Sequence, residues 1–113
     1  MPEMSTYERA IQIYQILIGA AHNRQVLTYS IVSKMIGVPA QGLANHLDHL
    51  MRHCERAGLP PLTVLVVQTD SGRPGKGLTT TTVEELHRDR ERVFGHDWYR
   101  MKPLTVSDLQ AGR

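Results

Sequence analysis

Tyr7, Ala10, Ile11, Tyr14, Leu17, Ile18 and Ala21 recur at helical intervals, so the spacing predicts a helix over 6–22 with one buried face. Ser5 and Glu8 stand in front of it at capping-box spacing, each placed to satisfy an amide the helix leaves unpaired. Ile13 and Ile16 widen the apolar face, which predicts cover from two sides or a homodimer contact through this first helix. Ile31, Val32, Met35 and Ile36 give a second apolar group and a short helix over 29–36. It stops at Gly37, a residue suited to a left-handed C-terminal conformation, and Pro39 suits the first turn of the helix that follows. In that helix, over 40–57, Leu43, Leu47, Leu50, Met51 and Cys54 form the buried stripe, and Gln41, Asn45, Asp48 and Arg52 lie broadly opposite. Gly58 closes it and Pro60-Pro61 prevent its continuation. The run Leu62 to Val67 is short, continuous and β-branched, the pattern of a buried strand. Thr82 and Glu85 form a second capping-box pair ahead of a helix over 83–94, whose stripe is Val83, Leu86, Val93 and Phe94. Trp98 is expected to dock on the core. No pattern holds the chain beyond Pro103, so residues 103–113 read as a loosely held tail.

A short helix, a turn at Gly37-Val38-Pro39, a longer helix, a strand and a glycine-rich loop follow one another from Val26 to Gly77. That is the order of parts in a winged helix-turn-helix. The fold class expected is therefore mainly α with a small β wing. The chain reads as a single winged helix-turn-helix domain over 1–113, with extra N- and C-terminal helices and a core over about 5–99. Whether Leu78 to Thr81 returns as a second wing strand is left open by the pattern.

Composition narrows the partners only slightly. The chain has 113 residues, a formal charge of +2 and a pI near 8.9. This permits nucleic acid without demanding it, so a local surface would have to do the binding. The N-terminus lacks the basic-then-apolar layout of a signal peptide. No apolar run approaches the roughly 18–20 residues of a membrane span. Cys54 is the only cysteine, which excludes an intrachain disulfide and makes a cytoplasmic location the expectation.

Candidate chemistry is sparse. His46, His49, His53 and Cys54 invite a metal reading, because His49 and His53 are spaced to share an ion. Cys54 turns to the core face, however, and no complementary cluster stands elsewhere, so neither metal nor cofactor is expected. Gly72-Arg73-Pro74-Gly75-Lys76-Gly77 falls short of a phosphate-binding loop in spacing and lacks the terminal hydroxyl. As a wing it makes sense, since glycines allow close backbone approach and Arg73 and Lys76 supply charge. Gln41, Asn45 and Arg52 can pair with base edges if their helix enters the major groove, while Ser30 and Lys34 could hold the backbone. The acidic and basic residues from Glu84 to Arg92 interleave as a salt-bridged helix surface. No triad and no paired acid and base appear, so catalysis is not expected.

Val26-Leu27-Thr28-Tyr29, Ile31-Val32-Ser33, Gly37, Pro39, Leu65-Val66-Val67 and Ser71-Gly72 together resemble the C-terminal DNA-binding domain of O6-alkylguanine DNA alkyltransferases and the non-enzymatic alkyltransferase-like proteins. The resemblance spans just under half the chain. It implies that Tyr29 stands where that family keeps a nucleotide-rotating tyrosine. It also implies that Leu62-Thr63-Val64-Leu65 replaces the family's Pro-Cys-His-Arg, with Thr63 at the nucleophile. Leu43 stands where the family has its arginine finger. Alkyl transfer needs an activated thiolate, so the fold is retained and the reaction is not. The expected function is that of a small non-enzymatic DNA-binding protein, acting in transcriptional control or in recognition of DNA structure or lesions. Its DNA-contacting residues would be Tyr29, Ser30, Lys34, Gln41, Asn45, Arg52, Arg73 and Lys76, and its partner double-stranded DNA. The alternative is a protein-interaction module on the same scaffold that does not bind DNA.

Overall fold

A computed structural model describes residues 4–111. Helix α1, Thr6–His22, begins at the Ser5–Glu8 capping box. The Glu8 amide donates to the Ser5 hydroxyl at 3.1 Å and the Ser5 amide to the Glu8 carboxylate at 2.9 Å. Its buried face packs on the later helices, with Ala10, Ile13, Leu17 and Ala21 fully enclosed. The helix over 43–57, the segment after it and the C-terminal helices all pack against it, so the broad apolar face is covered within one chain.

After α1 the chain turns through Arg24, which takes a left-handed backbone (φ 55°) that a non-glycine side chain rarely adopts. Its guanidinium reaches both Glu91 carboxylate oxygens, at 2.7 and 2.8 Å, and lies 4.8 Å from the Phe94 ring centroid. Strand β1, Leu27–Thr28, follows, and Thr28 caps helix α2, Tyr29–Ile36, by accepting from the Ile31 amide at 3.1 Å. Gly37 ends α2 at φ 70°. The Ser33 hydroxyl donates to the Val38 carbonyl across the turn. Of the four apolar residues expected to be buried in α2, only Val32 is fully enclosed. Ile36 is partly covered, and Ile31 and Met35 are 46% and 58% exposed. Eight residues make about two turns, and the single row facing α1 can enclose only one of them completely.

A 3₁₀ turn, Ala40–Gly42, leads into helix α3, Leu43–Ala57, which ends at Gly58 in the left-handed region. Leu43, Leu47, Leu50, Met51 and Cys54 are buried as the stripe requires. Each fully buried leucine contributes roughly 1.5–3 kcal/mol of transfer free energy. The expected strand over 62–67 is corrected: Leu62–Leu65 form a 3₁₀ turn, and only Val66–Val67 are extended, as β2. All six residues are buried, and a short continuous apolar run fits a buried helical turn as well as a strand. The Val64 amide bonds the Pro61 carbonyl at 3.0 Å, so the diproline starts a turn. β2 pairs in parallel with β1, Leu27 opposite Val66 and Thr28 opposite Val67. The α2–α3 unit is the crossover between them.

Val67 then forms an antiparallel bridge with Pro74, so the chain returns at Pro74 and not over Leu78 to Thr81. Thr82 and Glu85 make their reciprocal bonds, at 3.1 and 3.3 Å, but the helix beyond, α4, is Leu86–Gly95 and starts later than expected. Val83 is left 63% exposed. Trp98 docks as expected, 3% exposed, its indole N–H donating to the Val93 carbonyl at 2.8 Å. The segment beyond Pro103, expected to be loosely held, carries helix α5, Val106–Gln110, with a Thr105–Asp108 capping box and Leu109 buried. Residues 112–113 of that expectation lie outside the described residues. The described residues are mainly helical, and none of their helices is long and apolar enough to cross a membrane.

Candidate nucleic-acid interface

The loop expected to be a wing is a tight hairpin. Beyond the Val67–Pro74 bridge, the Gln68 amide donates to the Arg73 carbonyl at 2.8 Å and the Gly72 amide to the Gln68 carbonyl at 2.9 Å. Gly72 has φ 67° at the tip. Arg90 of α4 braces this tip by donating to the Gly72 carbonyl at 3.2 Å. Arg73 and Lys76 are exposed on the hairpin and the stretch that follows.

Tyr29 fixes where that loop lies. As the first residue of α2 it is only partly exposed, and a Cβ on Gly75 would run into its hydroxyl. Glycine is required there for close approach and not for its backbone angles. Burial raises the Tyr29 phenol above its ordinary value, and the Gly75 amide partly counters this. The tyrosine is thus a strut between α2 and the loop.

Asn45 and Arg52 are exposed on α3 and Asp48 is partly so. Arg52 Nε lies 2.8 Å from Asp48 Oδ2. Gln41 is exposed but sits on the 3₁₀ turn, outside the α-helical register that Asn45, Asp48 and Arg52 share. Ser30 and Lys34 are exposed on α2.

Between α3 and the loop lies a cleft of about 360 Å³. Asn45 and Asp48 line it from α3, Gly75 and Leu78 from the loop side, Tyr29 from α2, and Thr63 from the buried 3₁₀ turn. Of the expected site residues, the cleft brings Tyr29 and Asn45 together and places the Arg73–Lys76 loop beside them. Ser30, Lys34 and Gln41 do not line it, and Arg52 approaches only through Asp48. Sequence reasoning missed two participants. By spacing Asp48 is only one of the residues opposite the buried stripe of α3, and Thr63 only a replaced nucleophile. Thr63 is 5% exposed and its hydroxyl makes no hydrogen bond within the protein, which is uncommon for a buried polar group.

Cys54 does not line the cleft. It is 1% exposed, and burial pushes its thiol up to about 11 despite a backbone hydrogen bond involving Leu62. The α3 histidines face other helices. The His49 ring lies 4.9 Å from the Tyr7 ring. His46 is lowered by burial, then by the nearby His49 and Arg9, while a bond to the Thr6 backbone opposes. His53 is lowered by burial and Arg56, with Asp108 opposing. Among the described residues, no three His, Cys, Asp or Glu side chains come together as a metal-binding group. Comparison of the chain with protein-family models, with curated proteins and with solved structures gave no match in any of the three.

Proposed function

We propose that this protein is a non-enzymatic winged-helix protein that binds double-stranded DNA, with α3 as the reading helix and the Arg73–Lys76 loop as the wing. The observation that carries the reading is the Tyr29–Gly75 contact, which holds a doubly cationic loop beside the exposed face of α3. Arg73 and Lys76 then meet phosphate, Asn45 and Gln41 meet base edges, and Ser30 and Lys34 steady the backbone. Arg52 is engaged with Asp48 across an exposed ion pair worth roughly 0–1 kcal/mol, so a phosphate can compete for it. The alkyltransferase-like resemblance draws support from Thr63, whose position opens on the same cleft as Tyr29. The absence of alkyl transfer follows from Thr63 at that position and from a Cys54 thiol that is buried and held protonated.

The test is duplex binding across a salt series. Arg73→Ala and Lys76→Ala should each weaken binding by a similar factor on all sequences and lower the salt slope by roughly one. Gln41→Ala and Asn45→Ala should instead reduce discrimination between sites. No gain of a methyl group should appear by mass spectrometry after incubation with O6-methylguanine duplex. One observation favours a second reading, a protein-interaction module: Ile31 and Met35 stand one turn apart on α2, both largely exposed. Absence of duplex affinity at about 50 mM salt, where electrostatic binding is strong, would transfer the assignment to that surface.

A further inference from the structure

We propose that the groove between the Arg73–Lys76 loop and the start of α4 is a docking site for an acidic segment of a partner protein, anchored by one large apolar side chain. The groove encloses about 220 Å³. Arg73 and Lys76 line it, and neither lines the cleft beside α3. Pro74 and Leu78 supply apolar lining from the loop side, and Val83 and Leu86 from the α4 side. Val83 is 63% exposed, so this lining includes an apolar side chain left in water.

Charge indicates what covers it. Among the described residues, every arginine except Arg73 has its guanidinium in a hydrogen bond or an ion pair. Arg73 is engaged only through its backbone, and the Lys76 ammonium has no partner among the described residues either. No carboxylate lines the groove, so two cations stand there without an anion. A duplex backbone would answer the charge and leave the apolar lining bare. A free small molecule would be cramped, because 220 Å³ lies below the roughly 300–1,000 Å³ of small-ligand pockets. The space suits a single leucine or phenylalanine side chain, the kind of anchor from which a bound segment draws most of its affinity. Carboxylates beside that anchor would meet Arg73 and Lys76 and select the partner. The groove is also held ready. Arg90 reaches from α4 to the Gly72 carbonyl at 3.2 Å, and Tyr29 seats the loop at Gly75, which spares the partner the cost of ordering it. This docking does not rest on the DNA reading, but it draws on the same two cations, so peptide and duplex compete for them.

The experiment measures fluorescence anisotropy of labelled octapeptides in which glutamates flank one central residue. That residue is leucine, isoleucine, methionine, phenylalanine or tryptophan in turn, with serine as the reference. At least one apolar centre should bind about tenfold more tightly than serine, the scale of burying one such side chain. Arg73→Glu and Lys76→Glu should each weaken that peptide about tenfold, since like charges then face each other. Val83→Ser should weaken it about threefold through lost apolar contact. Lys102→Glu makes the same charge change outside the groove. At about 0.15 M salt, where distant charges are screened, it should alter binding by less than about twofold. Thermal melts confirm that the variants fold. Displacement of the bound peptide by unlabelled duplex supports the groove and shows that DNA takes the same cations. Peptide binding without any duplex affinity supports the groove and removes the DNA reading. Failure of every peptide to bind overturns this proposal, and duplex binding in that case leaves the DNA reading standing. A serine peptide that binds as well as the apolar ones overturns it too, as does a loss in Lys102→Glu equal to that in Arg73→Glu.

Discussion

Asp89, expected on a salt-bridged helix surface, is instead a carboxylate 2% exposed on the buried side of α4, one turn before the enclosed Val93, and its neighbours account for its burial. The Thr81 hydroxyl donates to it at 2.7 Å, and Arg88 and Arg92 approach within 3.2 and 3.3 Å. Burial pushes its pKa up, but these bonds outweigh burial and leave it below the ordinary carboxylate value. A depressed folded value means stability present above the unfolded value, near 3.9, and lost as pH falls through the folded one. Asp89→Asn should therefore cost about 2 kcal/mol at pH 7, the scale of a charge-assisted bond. The gap from wild type should close as pH drops below about 4. A gap in urea midpoint that persists at pH 2 would reject this account. Cys54 makes the opposite case. With its thiol pushed up to about 11, roughly one part in a thousand is thiolate at pH 8, and a 1% exposed side chain adds a steric barrier. A thiol reagent should label it only at the rate of unfolding, and native-state labelling as fast as a free cysteine would overturn that expectation.

At the scale of elements, the helices were legible where their stop and start signals are local. Gly37 needs φ 70° and has nothing within 4 Å of a built Cβ. Gly37→Ala should thus cost about 1–2 kcal/mol from backbone strain alone, read from the thermal midpoint. Thr28→Ala should cost about 1 kcal/mol through the lost α2 cap. Gly75→Ala should destabilise by a different route, collision with Tyr29. Its effect should shrink in a Tyr29→Ala background, where equal costs in both backgrounds would reject the strut. Such signals made the bounds of α1 and α2 readable as they stand. They failed over Leu62–Leu65, because a fully buried segment has no polar face to reveal its period. They failed again at α5, whose five residues carry too little periodicity to read even though Thr105 and Asp108 cap it. Ile31 and Met35 misled for a related reason: apolar spacing marks a stripe but not how much of it a neighbour reaches.

Across the whole molecule, the cleft was invisible in sequence because it arises where residues near 29, 45, 63 and 75 converge, and no local pattern links them. Its lining was half legible through Tyr29 and Asn45, while the parts of Asp48 and Thr63 in it were not. Long-range braces decide how firmly it is held. Arg90 ties α4 to the loop tip at Gly72, so Arg90→Ala should leave α3 intact yet speed amide exchange at Gly72 and Arg73. A second joint, between α3 and the α1 and α5 helices, carries His46 and His53, both lowered chiefly by burial. Their depressed values give stability that is complete above the unfolded histidine value near 6.5 and is withdrawn as pH falls through the folded values. The thermal midpoint should decline from about pH 7 toward pH 5, and His46→Asn with His53→Gln should flatten that decline. Finally, Trp98 is the chain's only tryptophan, buried edge-on between the Tyr14 and His96 rings. The protein therefore contains its own optical gauge. A red shift of its emission would report release of the C-terminal segment from α1, and because Trp98 does not line the cleft, ligand titrations there can be followed by other probes while this signal independently certifies that the fold is intact.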